Sequence, residues 1–152
     1  MSQQQPYSTG GSPGEGYSPV LSTLACRLFA PLAPRTLKCR FRYSVGDPFA
    51  VSIDLMLAPD AAVTWVVARE LLDSGTHRPS GEADFRVWPA VGGRGGRRLY
   101  FSLIRPDGHV TFESDLTEVR RWLDSTYRLV PAGSEAELLN WEALEAMLLE
   151  VD

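Results

Sequence analysis

The stretch from Trp65 to Pro89 reads WVVARELLDSGTHRPSGEADFRVWP. Its β-branched and aromatic opening, Val63 to Val67, predicts a strand. Ala68 to Ser74 predicts a short helix that Gly75 stops. Thr76 to Gly81, with Pro79 and Gly81, predicts a turn-rich link, and Asp84 to Trp88 a returning strand ended by Pro89. Trp65 and Trp88 sit near the ends. Arg69, Arg78 and Arg86 are interleaved with Glu70, Glu82 and Asp84. A segment this crowded is either an unusual core element or an interaction surface.

On both sides of this stretch the pattern is β. Upstream, Leu24 to Phe29 predicts a short strand closed by Pro31 and Pro34. Thr36 to Tyr43 alternates strictly, with Leu37, Cys39, Phe41 and Tyr43 on one face and Lys38, Arg40 and Arg42 on the other. Gly46-Asp47-Pro48 marks a turn. Phe49 to Leu57 alternates again, with Phe49, Val51, Ile53, Leu55 and Leu57 inward and Ser52 and Asp54 outward. Downstream, the glycine-rich Gly92 to Gly96 predicts a flexible hairpin tip, followed by a strand over Arg98 to Ile104. Pro106-Asp107-Gly108 turns the chain into Val110 to Glu113.

Two helices follow. Ser114 is the expected N-cap of 115–127, whose stripe is Leu116, Val119, Leu123 and Tyr127 with Trp122 flanking. Asn140 is the expected N-cap of 141–151, with Trp141, Leu144, Met147, Leu148 and Val151 as its stripe. Core packing is the expected use of that second stripe, with an interface as the alternative. The expected fold is α+β: a bent antiparallel sheet of six to seven strands, one short inserted helix and two further helices.

A chain of 152 residues fits one domain. Residues 1–21 hold little but Gly, Ser, Pro and Gln, with Glu15 as the only charge. Such a composition buries too little apolar surface to offset its ordering entropy, which predicts a disordered tail before a domain over 22–152. That tail has no base and no apolar run of signal-peptide type, and no apolar run nears the ~18 residues that span a bilayer. A cytoplasmic chain with Cys26 and Cys39 reduced is expected, without membrane insertion. The net charge of −4 argues against a dedicated nucleic-acid binder. Fourteen arginines stand against one lysine, Lys38, a skew that codon bias alone can produce.

No reaction is legible. Cys26, Cys39, His77 and His109 lack any metal-ligand spacing, so neither a metal nor a cofactor is expected. No G-x-S-x-G is present, and Asp47, Asp54, Asp60 and Asp84 sit where turns use Asp. The segment Gly92 to Arg98 is neither a P-loop nor a dinucleotide fingerprint. Its arginines, Arg94, Arg97 and Arg98, belong to a solvated tip, a partner contact or an RGG-like contact to nucleic-acid backbone.

Several segments, in order, resemble the SsgA-like family of actinobacterial sporulation and cell-division regulators. Tyr43-x-x-x-Asp47-Pro48-Phe49-Ala50-Val51 is similar to that family's turn, and Trp65 to Leu72 to its W-x-[FV]-A-R-[DE]-L-L segment. Gly75, Pro79 and Gly81 fall in its link. Asp84 to Pro89 resembles its D-[VF]-R-V-W-P strand, and Val130-Pro131-x-Gly133-x-Glu135 its last connection. The resemblance covers about five-sixths of the chain. It implies a non-enzymatic, homo-oligomeric adaptor, a trimer in a fold like the whirly single-stranded nucleic-acid-binding proteins. Such an adaptor would position or recruit septum components such as FtsZ or another SsgA-like or divisome protein, and concentrate at septa through them. Arg69, Arg78, Arg94, Arg97 and Arg98 are the expected contacts, and Asp47, Pro48, Trp65, Gly75, Pro79, Gly81, Trp88 and Pro89 the structural signature. The alternative is a single-stranded nucleic-acid binder using the sheet, the Arg94/Arg97/Arg98 tip and the face of Lys38, Arg40 and Arg42. Its affinity would fall steeply with salt.

Overall fold

The computed structural model describes residues 18–28, 35–92, 95–138 and 141–149. Within them lie β1 (Val20–Leu28), β2 (Arg35–Arg42), β3 (Ala50–Ala58), β4 (Ala61–Ala68), α1 (Arg69–Gly75), β5 (Ser80–Glu82), β6 (Phe85–Val91), β7 (Arg97–Arg105), β8 (Gly108–Asp115), α2 (Leu116–Leu129), a 3-10 turn (Glu135–Leu138) and α3 (Trp141–Leu149). The strands form one sheet in the order β4-β3-β2-β1-β8-β7-β6-β5. Every pairing is antiparallel. The described residues thus hold eight strands, not six or seven.

The sheet is curled into a half-barrel, and chain length shows why. Laid flat, eight strands at ~4.8 Å spacing would span about 34 Å. The opposite edges β4 and β5 are joined by residues 69–79 alone. The seven-residue α1 advances about 10 Å, and four linking residues add at most ~14 Å. The edges must therefore approach, and α1 touches β4 on one side and β5 and β6 on the other.

Alternation then sorts the side chains. Leu37, Cys39 and Phe41 of β2, Val51, Ile53 and Leu55 of β3, Phe85 and Val87 of β6, and Leu99, Phe101 and Leu103 of β7 are all buried on the concave face. Helix α2 fills that face through Leu116, Val119, Trp122 and Leu123, with the Trp122 ring 5.8 Å from Phe41. Full burial of each such side chain is worth roughly 1.5–3 kcal/mol. The cap falls one residue later than expected. Ser114 still pairs with Leu99 in the β7–β8 ladder, and Asp115 accepts from the Glu118 N–H at 2.9 Å.

Other expectations are corrected by packing. Strand β1 begins at Val20, inside the segment expected as tail, while 1–17, Phe29, Pro31, Pro34 and Asn140 lie outside the described residues. Phe49 and Leu57, expected inward, are exposed. Strand β6 does not end at Pro89 but runs through it to Val91. β5 pairs only with Phe85 to Val87, so at Pro89 one side of β6 has no neighbouring strand and a missing N–H is tolerated. Gly75 is the last residue of α1, and a Cβ there would lie 2.2 Å from Val87 Cγ1. The glycine serves close helix-to-sheet approach rather than a left-handed stop.

Candidate functional site

Three polar groupings stand out. The first is built on Arg69, whose residue is 1% exposed. Its guanidinium lies 4.7 Å from the Tyr43 ring centre and 4.0 Å from that of Tyr127. Nη1 donates to the Thr126 carbonyl at 3.0 Å and Nη2 to Glu135 Oε2 at 2.8 Å. Gly133, at φ +90°, turns the chain so that its N–H donates to Glu135 Oε1 at 2.9 Å. Arg69 first of all holds the Glu135 carboxyl below its ordinary value. Burial pushes the Tyr127 hydroxyl up to about 12. The Tyr43 hydroxyl donates to the Pro48 carbonyl at 2.9 Å, which fixes the Asp47-Pro48 turn to the same cluster.

The second grouping lies on the convex face. Cross-strand register sets Arg40 opposite Asp54 and Asp54 opposite Thr64. Arg42 grips the carboxylate with two bonds, Nε at 2.6 Å and Nη2 at 3.0 Å, and Arg40 Nε adds a third at 2.9 Å. Thr64 Oγ1 donates at 2.6 Å. Arg42 chiefly, with Thr64 and Arg40, holds Asp54 well below the usual carboxylate range. Asp54 is on the outer face as expected, yet its neighbours bury it. On the concave face, burial pushes the Cys39 thiol up to about 12, which makes it a poor nucleophile.

The third grouping borders an open groove of about 780 Å³ on the outer face of β5, β6 and β7, lined by Pro79, Gly81, Arg86, Trp88, Ile104 and His109. Trp88 is half-buried here. Its ring stacks on Tyr100 at 5.8 Å and 10°, and the Tyr100 hydroxyl donates to Glu113 at 2.7 Å. Arg98 lies 3.5 Å from Glu113 and 3.8 Å from Asp115. The Arg86 stem lies over Gly81, where a Cβ would meet Arg86 Cδ at 2.5 Å and move that exposed side chain aside.

Comparison with known proteins places this architecture. Residues 37–135 match the family model described as "Streptomyces sporulation and cell division protein, SsgA". The chain belongs to the SsgA family. It is 40% identical over 131 residues to the sporulation-specific cell division protein SsgB of Frankia casuarinae, covering 86% of this chain and 91% of that one. The crystal structure of an SsgA-like sporulation-specific cell division protein from Thermobifida fusca matches at TM-score 0.79 and 33% identity, covering 91% of this chain and 98% of that one. An SsgB structure from Streptomyces coelicolor, described with mutations that correlate to longitudinal cell division during sporulation, matches at TM-score 0.76 and 27% identity, over 86% and 100% of the two chains.

The SsgA-type segments take on physical meaning in this geometry. Tyr43, Arg69 and Glu135 come from three separated motifs and meet at one guanidinium. Arg69, expected at a partner contact, is instead inside, engaged by its own chain. Arg78 and Arg97 are exposed and make no side-chain hydrogen bond among the described residues. Arg98 is part-buried against acids of β8, and Arg94 lies outside the described residues. The expected positive patch of Lys38, Arg40 and Arg42 is reduced by Asp54. The roles of Asp54, Tyr100, Glu113 and Tyr127 are not legible from sequence. Their partners are set by strand register or by distant segments, and only the strict alternation of β2 and β3 carries a hint of the Arg40–Asp54 opposition.

Proposed function

We propose that this chain is a non-enzymatic regulator of sporulation-specific cell division, working as a homo-oligomeric adaptor that positions or recruits septum components such as the tubulin-like protein FtsZ. Membership of the SsgA family over residues 37–135 carries the reading. The relatives' names support the process, and mutations in SsgB of Streptomyces coelicolor correlate with longitudinal cell division during sporulation. No described helix is long and apolar enough to cross a membrane, so septal placement would come through a partner.

The groove beside Trp88 is the surface we assign to that partner. An aromatic side chain stacked on Tyr100, in a groove it shares with Arg86, matches the aromatic and arginine anchors that dominate protein interfaces. Arg78, Arg94 and Arg97 complete the set of expected contacts. The test is co-sedimentation of the purified full chain with FtsZ polymers, beside localisation of a fluorescent fusion in a sporulating actinobacterium. Wild type should pellet with polymer and mark septa. Trp88→Ala gives up a stacked cross-strand pair worth about 0.5–1.5 kcal/mol beyond its area burial, so it should melt a few degrees lower yet stay folded, and lose at least about tenfold in FtsZ affinity, the loss expected of an anchor worth more than ~1.4 kcal/mol. A wild-type chain that neither pellets with FtsZ nor marks septa would overturn the adaptor reading.

A further inference from the structure

Among the described residues two surfaces are left uncovered, and they complement each other. The first is α3, where Met147, Leu148 and Leu149 are 56%, 64% and 80% exposed. Three consecutive large apolar residues in water mark an unfilled contact. The helix sits in a segment of one charge sign: from Leu129 to Asp152 the sequence has six acids and no base, whereas fifteen bases face thirteen acids in the rest.

The second surface is the convex face of β1 to β4. Lys38, Arg40 and Arg42 project there, with Asp54 as the one acid among them. Around these charges lie Val20, Leu24 and Val66, at 49%, 58% and 61% exposure. A groove of about 370 Å³ opens between them, lined by Leu24, Lys38, Arg40 and Met56. Dimensions agree as well. Nine helical residues extend about 13 Å, and the axes of four adjacent strands span about 14 Å.

We infer that α3 of one copy lies across the convex face of β1 to β4 of a second copy, joining copies head to tail. Acidic helix meets basic sheet, and Met147, Leu148 and Leu149 cover Leu24 and Met56, which flank Lys38 in one cross-strand row. Two α3 helices packed on each other would instead oppose glutamates, and two convex faces would oppose arginines. Only the heterologous pairing satisfies both charge and apolar cover. Such an interface generates a closed ring or a filament rather than a twofold dimer. The inference rests on the homo-oligomer reading above and assigns its surfaces.

The test is size-exclusion chromatography with light scattering on the full chain. Leu148→Asp removes the helix side and Leu24→Asp the sheet side. Both residues are exposed, so melting of the separated copies should not change. Each variant alone should elute as a monomer. Their equimolar mixture should form a 1:1 dimer and nothing larger, because one intact helix and one intact face remain. Should either variant melt early, Glu145→Lys stands in for Leu148→Asp and Lys38→Glu for Leu24→Asp; each alone should be monomeric, and because the exchanged charges attract again, a mixture of these two should regain the wild-type oligomer. A monomeric wild type overturns both this inference and the homo-oligomer reading. An oligomeric wild type that both variants leave intact overturns this inference alone. So does an oligomer broken by Leu148→Asp but not by Leu24→Asp, or a mixture that stays monomeric.

Discussion

Helices α2 and α3 carry apolar residues at similar helical spacing and meet opposite fates. In α2, Leu116, Val119, Trp122 and Leu123 are buried. In α3, Met147, Leu148 and Leu149 are exposed. The difference lies in what each helix can reach. Helix α2 leaves β8 directly and drops into the concave face. Only one concave face exists, and α2 fills it. Helix α3 comes after the turn at Gly133 and the segment pinned by Glu135, when that site is taken. A stripe therefore records that a helix needs cover, and the topology decides whose surface supplies it.

The largest effect that could break the comparison is in α2. Leu123 is 0% exposed, so Leu123→Ala should cost about 3–5 kcal/mol, read by chemical denaturation. A cost below ~1 kcal/mol would mean that α2 is not seated in the core. Next comes the clamp between the two helices. Arg69→Met keeps most of the volume but removes the bonds to Thr126 and Glu135, and should cost about 2–4 kcal/mol. It also alters the acid limb. Glu135 is held below its ordinary value in the folded chain, so its contribution is full above ~4.3 and is lost as pH falls through the lowered value. Arg69→Met should therefore flatten the fall in stability on the acid side of ~4.3, measured by denaturation across pH. An unchanged acid limb would show that Arg69 does not set the Glu135 carboxyl.

Local patterns can be read from sequence where the fold answers to one-dimensional periodicity. Leu37, Cys39 and Phe41 alternate into the core as expected, and the α2 stripe is buried as spaced. The eighth strand is not legible because β5 has three residues, too few to show a period. Gly75 reads as a stop from sequence, since nothing nearby announces Val87 on another strand. Arg69 reads as a surface charge because its partners lie 57 and 66 residues away. The Arg40, Arg42, Asp54 and Thr64 network needs the register of three strands before it exists. The groove at Trp88 needs the pairing of β6 with β7. Sequence thus exposes what a residue does to its own element, and hides what distant segments do to it.

A smaller effect concerns how α2 enters its seat. Asp115 caps the Glu118 N–H, so Asp115→Ala should cost about 1 kcal/mol and fray the first turn, visible as faster amide exchange there. No loss would mean that docking on the sheet alone fixes where α2 starts.

The smallest effect is the sharpest. Leu148→Ala should change the stability of the dissociated chain by no more than about 0.5 kcal/mol, because most of that side chain is already in water. Set against Leu123→Ala, the same chemical change then differs several-fold in cost within one molecule, and only cover distinguishes the two positions. The measurement belongs at protein concentrations low enough for copies to separate, since association adds stability by mass action. At higher concentration the Leu148→Ala cost should grow, whereas that of Leu123→Ala should hold nearly constant. A cost near that of Leu123→Ala at low concentration would place α3 against its own copy and remove the contrast between the helices.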